Sequence, residues 1–149
     1  IATAHERIIS VTLGSEDFSA SAGMHSVPGT LQLPNQMIAF ACRRAGIAPL
    51  GFPGSIADYS DLDVFKKTIE FGKQMGFVGA FCIHPKQAAI LNEVLTPNEE
   101  EVANAKGLID AFETGLKEGK GAVEYKGKMI DLPVVINARE LIARYEAIS

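Results

Sequence analysis

The sequence predicts an α/β fold in which parallel strands alternate with helices. Three apolar runs, at residues 8–13, 47–52 and 78–83, have the length and composition of buried strands. Segments with helical periodicity separate them, and the connections are short. This order is typical of parallel βα units joined by right-handed crossovers. Because about three parallel strands are too few for an independent sheet or a closed barrel, the sequence indicates part of a larger fold.

The early part of the chain is predicted to contain one strand, one long loop and one helix. Apolar residues predict a strand over residues 8–13, which Gly14 and Ser15 end. Glycine and proline punctuate residues 19–33 and predict a loop. A helix is expected over residues 35–45, with a glycine directly after it.

The later part of the chain is predicted to be mainly helical. A capping pattern at residues 60–63 opens one helix, and residues 86–93 form another. Thr-Pro-Asn-Glu at residues 96–99 is a strong start for a third helix. Residues 115–127 are rich in glycine and lysine and predict an exposed connection or a hairpin. A last helix is expected over residues 133–147.

The composition is that of an ordinary globular protein, and its charge argues against two classes of binding partner. The 149 residues are 47% hydrophobic and 21% charged, with a net charge of -4. Because lysine and arginine are scattered, neither nucleic acid nor an anionic membrane is an expected partner. No apolar run approaches the roughly 20 residues needed to cross a bilayer. Residues 1–7 do not resemble a signal peptide. The two cysteines are expected to be free thiols, which suits a reducing cytoplasm, so we expect a cytoplasmic protein.

The cysteines and histidines predict no metal centre of their own. Cys42 and Cys82 are far apart and outside the spacing of metal ligands, so both are expected to be buried free thiols. The three histidines are isolated from one another, which argues against a zinc site.

Two adjacent carboxylates, Glu16 and Asp17, lie where the first strand passes into a loop. In parallel-sheet enzymes, ligands bind at the carboxyl ends of the strands. Successive side chains of an extended chain point to opposite faces, so we expect only Asp17 to face a bound ion. The alternative is a solvated turn, and these residues alone favour it.

Three stretches resemble one family, the citrate lyase β-subunit-like acyl-CoA lyases of the HpcH/HpaI aldolase superfamily. They are residues 13–18 (LGSEDF), 75–87 (MGFVGAFCIHPKQ) and 127–133 (GKMIDLP), in the family's order. The resemblance implies a TIM (β/α)8 barrel with a C-terminal helical extension and a homotrimer. It also implies Mg²⁺-dependent cleavage or formation of carbon–carbon bonds in β-hydroxyacyl-CoA esters such as citryl-, malyl- or citramalyl-CoA.

On this resemblance, the chain divides into two parts. Residues 1–114 correspond to the C-terminal part of the barrel, and residues 115–149 to the extension that carries the Gly-Lys-Met-x-Asp motif. The first five barrel strands, with a glutamate that is the family's second metal ligand, would lie upstream. We therefore expect the chain to be inactive without this missing N-terminal half.

The resemblance also assigns roles to the residues singled out above. Asp17 would bind Mg²⁺, and the backbone around Gly14, Ser15 and Glu16 would hold a substrate carboxylate. Asp131 corresponds to the family's acid/base group, which is delivered across the trimer interface into a neighbour's site. From the residues alone, Asp131 is better explained as the N-cap of the last helix, and the two roles are compatible.

Two loops are expected to line the substrate and CoA pocket. They follow the second and third predicted strands and comprise Phe52, Pro53 and Gly54, and Ile83, His84 and Pro85. The alternative for His84 is a structural histidine at a strand end. Many relatives carry Gly-Lys where this chain has Gly79 and Ala80, so the acyl group or the CoA contacts are expected to differ from those of citrate lyase.

Two other functions remain open from the sequence. One is a class II aldolase that acts on a free 2-oxo acid without CoA. The other is a non-catalytic subunit or fragment that binds CoA or supports a partner enzyme. The extension that carries Asp131 favours the acyl-CoA lyase over the aldolase.

Overall fold

A computed structural model describes residues 1–57 and 59–148. The chain forms two compact units, Ile1–Leu95 and Thr96–Ser149. The fold is mixed α/β and mostly helical, which confirms the predicted class. The division at residues 114 and 115 stays a prediction, and it falls inside a helix of the second unit.

The parallel strands of the first unit occur in the predicted order but are shorter than expected. β1 (Ser10–Val11) pairs in parallel with β2 (Ala48–Pro49), and a single parallel bridge joins Leu50 to Gly79. Pro49 has no N–H and donates nothing to the ladder, although its carbonyl accepts from Val78 N at 3.1 Å. The predicted six-residue strands were therefore wrong in length, because proline and glycine limit regular pairing.

The loop predicted over residues 19–33 is wrong. The structure has α1 (Ser15–Ala22) and α2 (Pro28–Ala45) there, with only a short connection between them. Gly23 ends α1 with a positive φ of 64°, and Pro28 begins α2 at a position where a missing N–H costs nothing. The glycine and proline thus cap helices and do not mark a loop.

The core of the first unit lies where α3 (Leu62–Gln74) and α4 (Pro85–Leu95) pack together. The carboxylate of Asp61 caps α3 by accepting from two backbone N–H groups, at 3.1 and 3.0 Å. Phe52 meets Phe65 of α3 edge to face, with ring centroids 5.4 Å apart. These buried rings hold the segment after β2 against the helices, which fixes the wall of the site described below.

The second unit consists of two helices and a hairpin. α5 (Glu99–Lys117) begins at Asn98, whose side chain forms a capping box with Glu101, so the cap lies two residues beyond the predicted Thr96. β3 (Val123–Tyr125) and β4 (Lys128–Ile130) pair in antiparallel fashion and form a hairpin. A hairpin was one of the two structures predicted for this region. α6 (Leu132–Ile148) follows and packs on α5.

The hairpin packs on α5 at glycines. A Cβ at Gly107 would overlap the hydroxyl of Tyr125, and one at Gly115 would overlap Cγ1 of Val123. We expect Gly115→Ala to lower the free energy of unfolding by about 1–2 kcal/mol, because overpacking outweighs the roughly 1 kcal/mol that Ala gains in a helix.

Urea unfolding measures this change. Gly121→Ala is the matched control, since no atom lies within 4 Å of the added methyl group. Equal stability of the Gly115→Ala and Gly121→Ala proteins would contradict the close packing of the hairpin.

The two cysteines differ in environment. Cys42 is buried in α2, and burial raises the pKa of its thiol, which keeps it protonated and unreactive. Cys82 is exposed, so the prediction that both thiols are buried was wrong for this one. It lies in the irregular segment between the bridge at Gly79 and the start of α4. In the described part of the chain, no helix is both long and apolar enough to span a membrane.

Candidate active site

A cleft of about 340 Å³ opens in the first unit at the carboxyl ends of the parallel strands. Its lining comes from three segments, each of which directly follows a strand or the bridge. They are Thr12 to Asp17, then Gly51, Phe52, Gly54 and Ile56, then Phe81. This is the edge at which parallel sheets place their ligands.

The acidic end of the cleft is the first turn of α1. Gly14 is the N-cap residue, and Glu16 and Asp17 lie directly inside the helix. The expectation that these two side chains extend to opposite faces of a strand was therefore wrong, because the helix begins as soon as β1 ends. Both residues line the cleft. No side chain caps the helix, so its first backbone N–H groups are available to a ligand.

The two carboxylates differ in what they contact. Ser26 donates from Oγ to Oε1 of Glu16 at 3.1 Å. The Asp17 carboxylate makes no hydrogen bond or ion pair with the residues that the structure describes. Asp17 is thus the better candidate for a metal ligand, although for a different reason from the one predicted.

Asp17 by itself fits a magnesium ion in part. Mg²⁺ in proteins usually takes one or two carboxylates and completes its octahedron with water and substrate oxygens. Within residues 1–57 and 59–148 there is no group of three or more His, Cys, Asp or Glu side chains that could hold a metal. Among the described residues, the donor that this cleft offers without a competing partner is the carboxylate of Asp17.

The opposite wall of the cleft is apolar. Leu13, Phe52, Ile56 and Phe81 line it, and Phe52 is anchored in the core. Phe52 and Gly54 were predicted to line the site, whereas Pro53 is fully buried and does not reach the cleft. The cleft thus combines an acidic helix end with an apolar wall, which suits a ligand with a polar head and a less polar chain.

The segment after the Gly79 bridge lines the cleft, but not through the three residues that were predicted to do so. Ile83, His84 and Pro85 do not belong to the lining of this cleft, while Phe81 does. The His84 ring stacks on Tyr59, with centroids 5.1 Å apart and planes 4° apart. These contacts favour the structural alternative for His84, and its contact with CoA stays a prediction.

Sequence reasoning missed residues whose positions no local pattern reveals. Thr12, Gly51, Ile56 and Phe81 line the cleft without having been predicted to do so. Gln87, which is completely buried, was also missed.

Asp131 belongs to the second unit and lies between β4 and α6. Its backbone carbonyl accepts from Val135 N at 3.2 Å, and this hydrogen bond belongs to the first turn of α6. Its carboxylate makes no hydrogen bond or ion pair within the described residues, so it does not cap α6 through its side chain. The half-buried side chain is left available for another role.

The fold and the cleft define a class: an α/β protein with a carboxylate-bearing site at the mouth of parallel strands. Residues 1–85 match the HpcH/HpaI aldolase/citrate lyase family, and the chain belongs to this family. The match covers the whole cleft.

Characterised relatives are lyases. The chain is 33% identical to the L-malyl-CoA/beta-methylmalyl-CoA lyase of Cereibacter sphaeroides, over 100% of this chain and 52% of that protein. It is 33% identical to citrate lyase subunit beta of Leuconostoc mesenteroides subsp. cremoris, over 95% of this chain and 47% of that protein. The chain thus spans about half the length of the curated relatives that it matches.

A solved structure supports the fold. The protein CitE from Mycobacterium tuberculosis, in complex with magnesium, acetoacetate and coenzyme A, matches with a TM-score of 0.76. The match covers 98% of this chain and 55% of that one, at 24% identity. The fold is therefore of the citrate lyase type, and the division into about three βα units of a TIM barrel with an extension stays a prediction.

Proposed function

We propose that this chain is part of a Mg²⁺-dependent carbon–carbon lyase that cleaves or forms a β-hydroxyacyl-CoA such as citryl-, malyl- or citramalyl-CoA. The observation that carries the proposal is the free carboxylate of Asp17 beside the uncapped N-terminus of α1, at the polar end of an otherwise apolar cleft. The names of the lyase relatives support the substrate class.

Asp17 is the proposed magnesium ligand of this chain. Its carboxylate has no competing partner among the described residues, unlike that of Glu16, which Ser26 engages. When bound, Mg²⁺ would polarise a carbonyl oxygen of the substrate. As the family resemblance implies, we propose that the second ligand, a glutamate, comes from the part of the barrel that precedes these residues.

The amides at Gly14, Ser15 and Glu16 would bind the carboxylate of the acid product or substrate. The positive end of the helix dipole favours an anion there. The carboxylates of Glu16 and Asp17 oppose it, because both lie in the same first turn. Anion binding is therefore expected only after a cation has neutralised Asp17, so the acid and Mg²⁺ should bind cooperatively.

Asp131 is the proposed acid/base residue. Cleavage requires removal of a proton from the β-hydroxyl group, and condensation requires removal of one from the acyl-CoA methyl group. A carboxylate that no protein group in the described chain engages is suited to accept either proton. We place it in the site of a neighbouring subunit of a homotrimer, as the family resemblance implies.

The apolar wall is proposed to face the acyl and pantetheine parts of CoA. Phe52 and Gly54 line it directly, and Ile83, His84 and Pro85 lie next along the chain from Phe81. A class II aldolase without CoA would have no use for Asp131 in the extension. A non-catalytic subunit would bind CoA without turnover.

The direct experiment is an assay of the intact protein with malyl-, citramalyl- and citryl-CoA, with Mg²⁺ and with excess chelator. We expect release of a shorter acyl-CoA that requires Mg²⁺. Turnover of free hydroxy-oxo acids with no response to CoA esters would contradict the proposal in favour of an aldolase. CoA binding without any turnover would contradict it in favour of a non-catalytic subunit.

A further inference from the structure

Gln87 is a fully buried polar residue near the start of α4, and both ends of its amide are in use. Its Oε1 accepts a hydrogen bond from Ile83 N at 3.0 Å. Its Nε2 donates to the carbonyl oxygen of Ile56 at 3.0 Å. One side chain therefore joins Ile56 and Ile83, which are 27 residues apart in the chain.

These two segments carry the apolar wall of the cleft. Ile56 lines the cleft itself, and Ile83 lies two residues after Phe81, which lines it as well. Neither segment is held by regular secondary structure at these positions. Phe81 is 61% exposed, so packing alone does not fix it. The Gln87 amide supplies the fixed donor and acceptor that these irregular backbones would otherwise lack.

We infer that Gln87 is a positioning residue, which holds Ile56 and Phe81 in place as the wall against which the acyl-CoA substrate binds. This inference rests on the proposed function. A side chain without the acceptor would leave the part-buried Ile83 N–H unpaired, and one without the donor would leave the Ile56 carbonyl unpaired, so each loss would release one segment. The wall, and not the metal ligand on α1, is the part of the site that should respond.

Two substitutions separate this role from simple core packing. Gln87→Met keeps the length of the side chain but removes both the donor and the acceptor. Gln87→Glu is similar in shape to Gln. Its carboxyl group accepts from Ile83 N in either protonation state, but only the protonated form offers an O–H donor to the carbonyl oxygen of Ile56. Burial raises the pKa of such a carboxyl group, so the hydrogen bond to Ile56 should return as the pH falls. Gln74→Met, at an exposed position at the end of α3, is the matched control.

The first measurement is the hydrogen-exchange protection factor of the Ile83 amide. We expect it to fall about tenfold or more in Gln87→Met, because its acceptor is lost, and to be unchanged in Gln74→Met. In Gln87→Glu, the Ile83 amide should stay protected at neutral pH and in acid, because the carboxyl group keeps an acceptor for it. Unchanged protection in Gln87→Met, or equal loss of protection in Gln87→Met and Gln87→Glu, would overturn the inference.

The second measurement uses the intact protein with malyl-CoA. We expect KM for the CoA ester to rise about tenfold in Gln87→Met, while the Mg²⁺ concentration for half-activation stays at the wild-type value. A rise in both quantities, or in neither, would overturn the positioning role. If the wild-type protein releases no acyl-CoA, the proposed function fails, and the protection factors still decide whether Gln87 holds the wall.

Discussion

Replacing Asp17 by Asn is expected to lower kcat/KM of the intact protein about 10³-fold, because a metal ion supplies several kcal/mol of charge stabilisation in the transition state. Asn keeps the size of the side chain and removes the charge that binds the cation. The response of the rate to added Mg²⁺ should disappear along with the activity. Initial rates of acyl-CoA release across a Mg²⁺ titration measure both effects.

Asp63→Asn is the matched control for Asp17→Asn. Asp63 is also an acidic residue in the first turn of a helix of the same unit, so its loss removes a similar interaction with a helix dipole. It lies on α3 and does not line the cleft. If Asp17→Asn kept its Mg²⁺ dependence, or if Asp63→Asn lost as much activity, Asp17 would not be the metal ligand.

Replacing Asp131 by Asn is expected to lower kcat by about 10²–10⁴-fold, the usual contribution of a general acid or base. Because the Asp131 side chain does not cap α6, and Asn would cap it as well as Asp, α6 should form normally and the unfolding midpoint should hardly change. A loss of activity at unchanged stability therefore separates the catalytic role from the capping role that the sequence alone favours. Asp110→Asn, an exposed carboxylate on α5, should leave kcat unchanged.

Mixing the two inactive variants tests whether Asp131 acts in a neighbouring subunit. In randomly mixed trimers of Asp17→Asn and Asp131→Asn chains, about one quarter of the sites would combine an intact Asp17 with an intact Asp131 from the neighbour. We therefore expect about that fraction of wild-type activity to return after mixing. Failure of the mixture to recover any activity would contradict a site shared between subunits.

The order of elements was predictable because it depends on periodicity and on strand connectivity. The parallel pairing of the segments around Ser10, Ala48 and Gly79 follows the sequence of apolar runs. The lengths of the strands were not predictable, since they depend on which backbone groups find partners. The loop predicted over residues 19–33 failed because Gly23 and Pro28 serve equally well in loops and at helix ends.

The candidate site was also predictable only in part. Sequence reasoning placed Asp17 at a strand end, whereas it lies in the first turn of α1, the helix that follows β1. The choice between Asp17 and Glu16 depends on Ser26, which is ten residues beyond Glu16. Gln87 was part of a quoted motif and yet received no role, because its partner Ile56 is 31 residues away. Hydrogen bonds between distant segments leave no local pattern in a sequence.

The short strand β1 has a consequence for how this polypeptide would behave in a test tube. Within the described residues, β1 pairs with β2 along one side, and no strand covers its other side. Ile9, next to it, is 77% exposed. Unpaired amide and carbonyl groups beside an apolar side chain invite strand addition by another molecule. At high concentration, the solubility of this polypeptide would thus depend on this unpaired edge of β1. Ile9→Lys should keep the protein monodisperse.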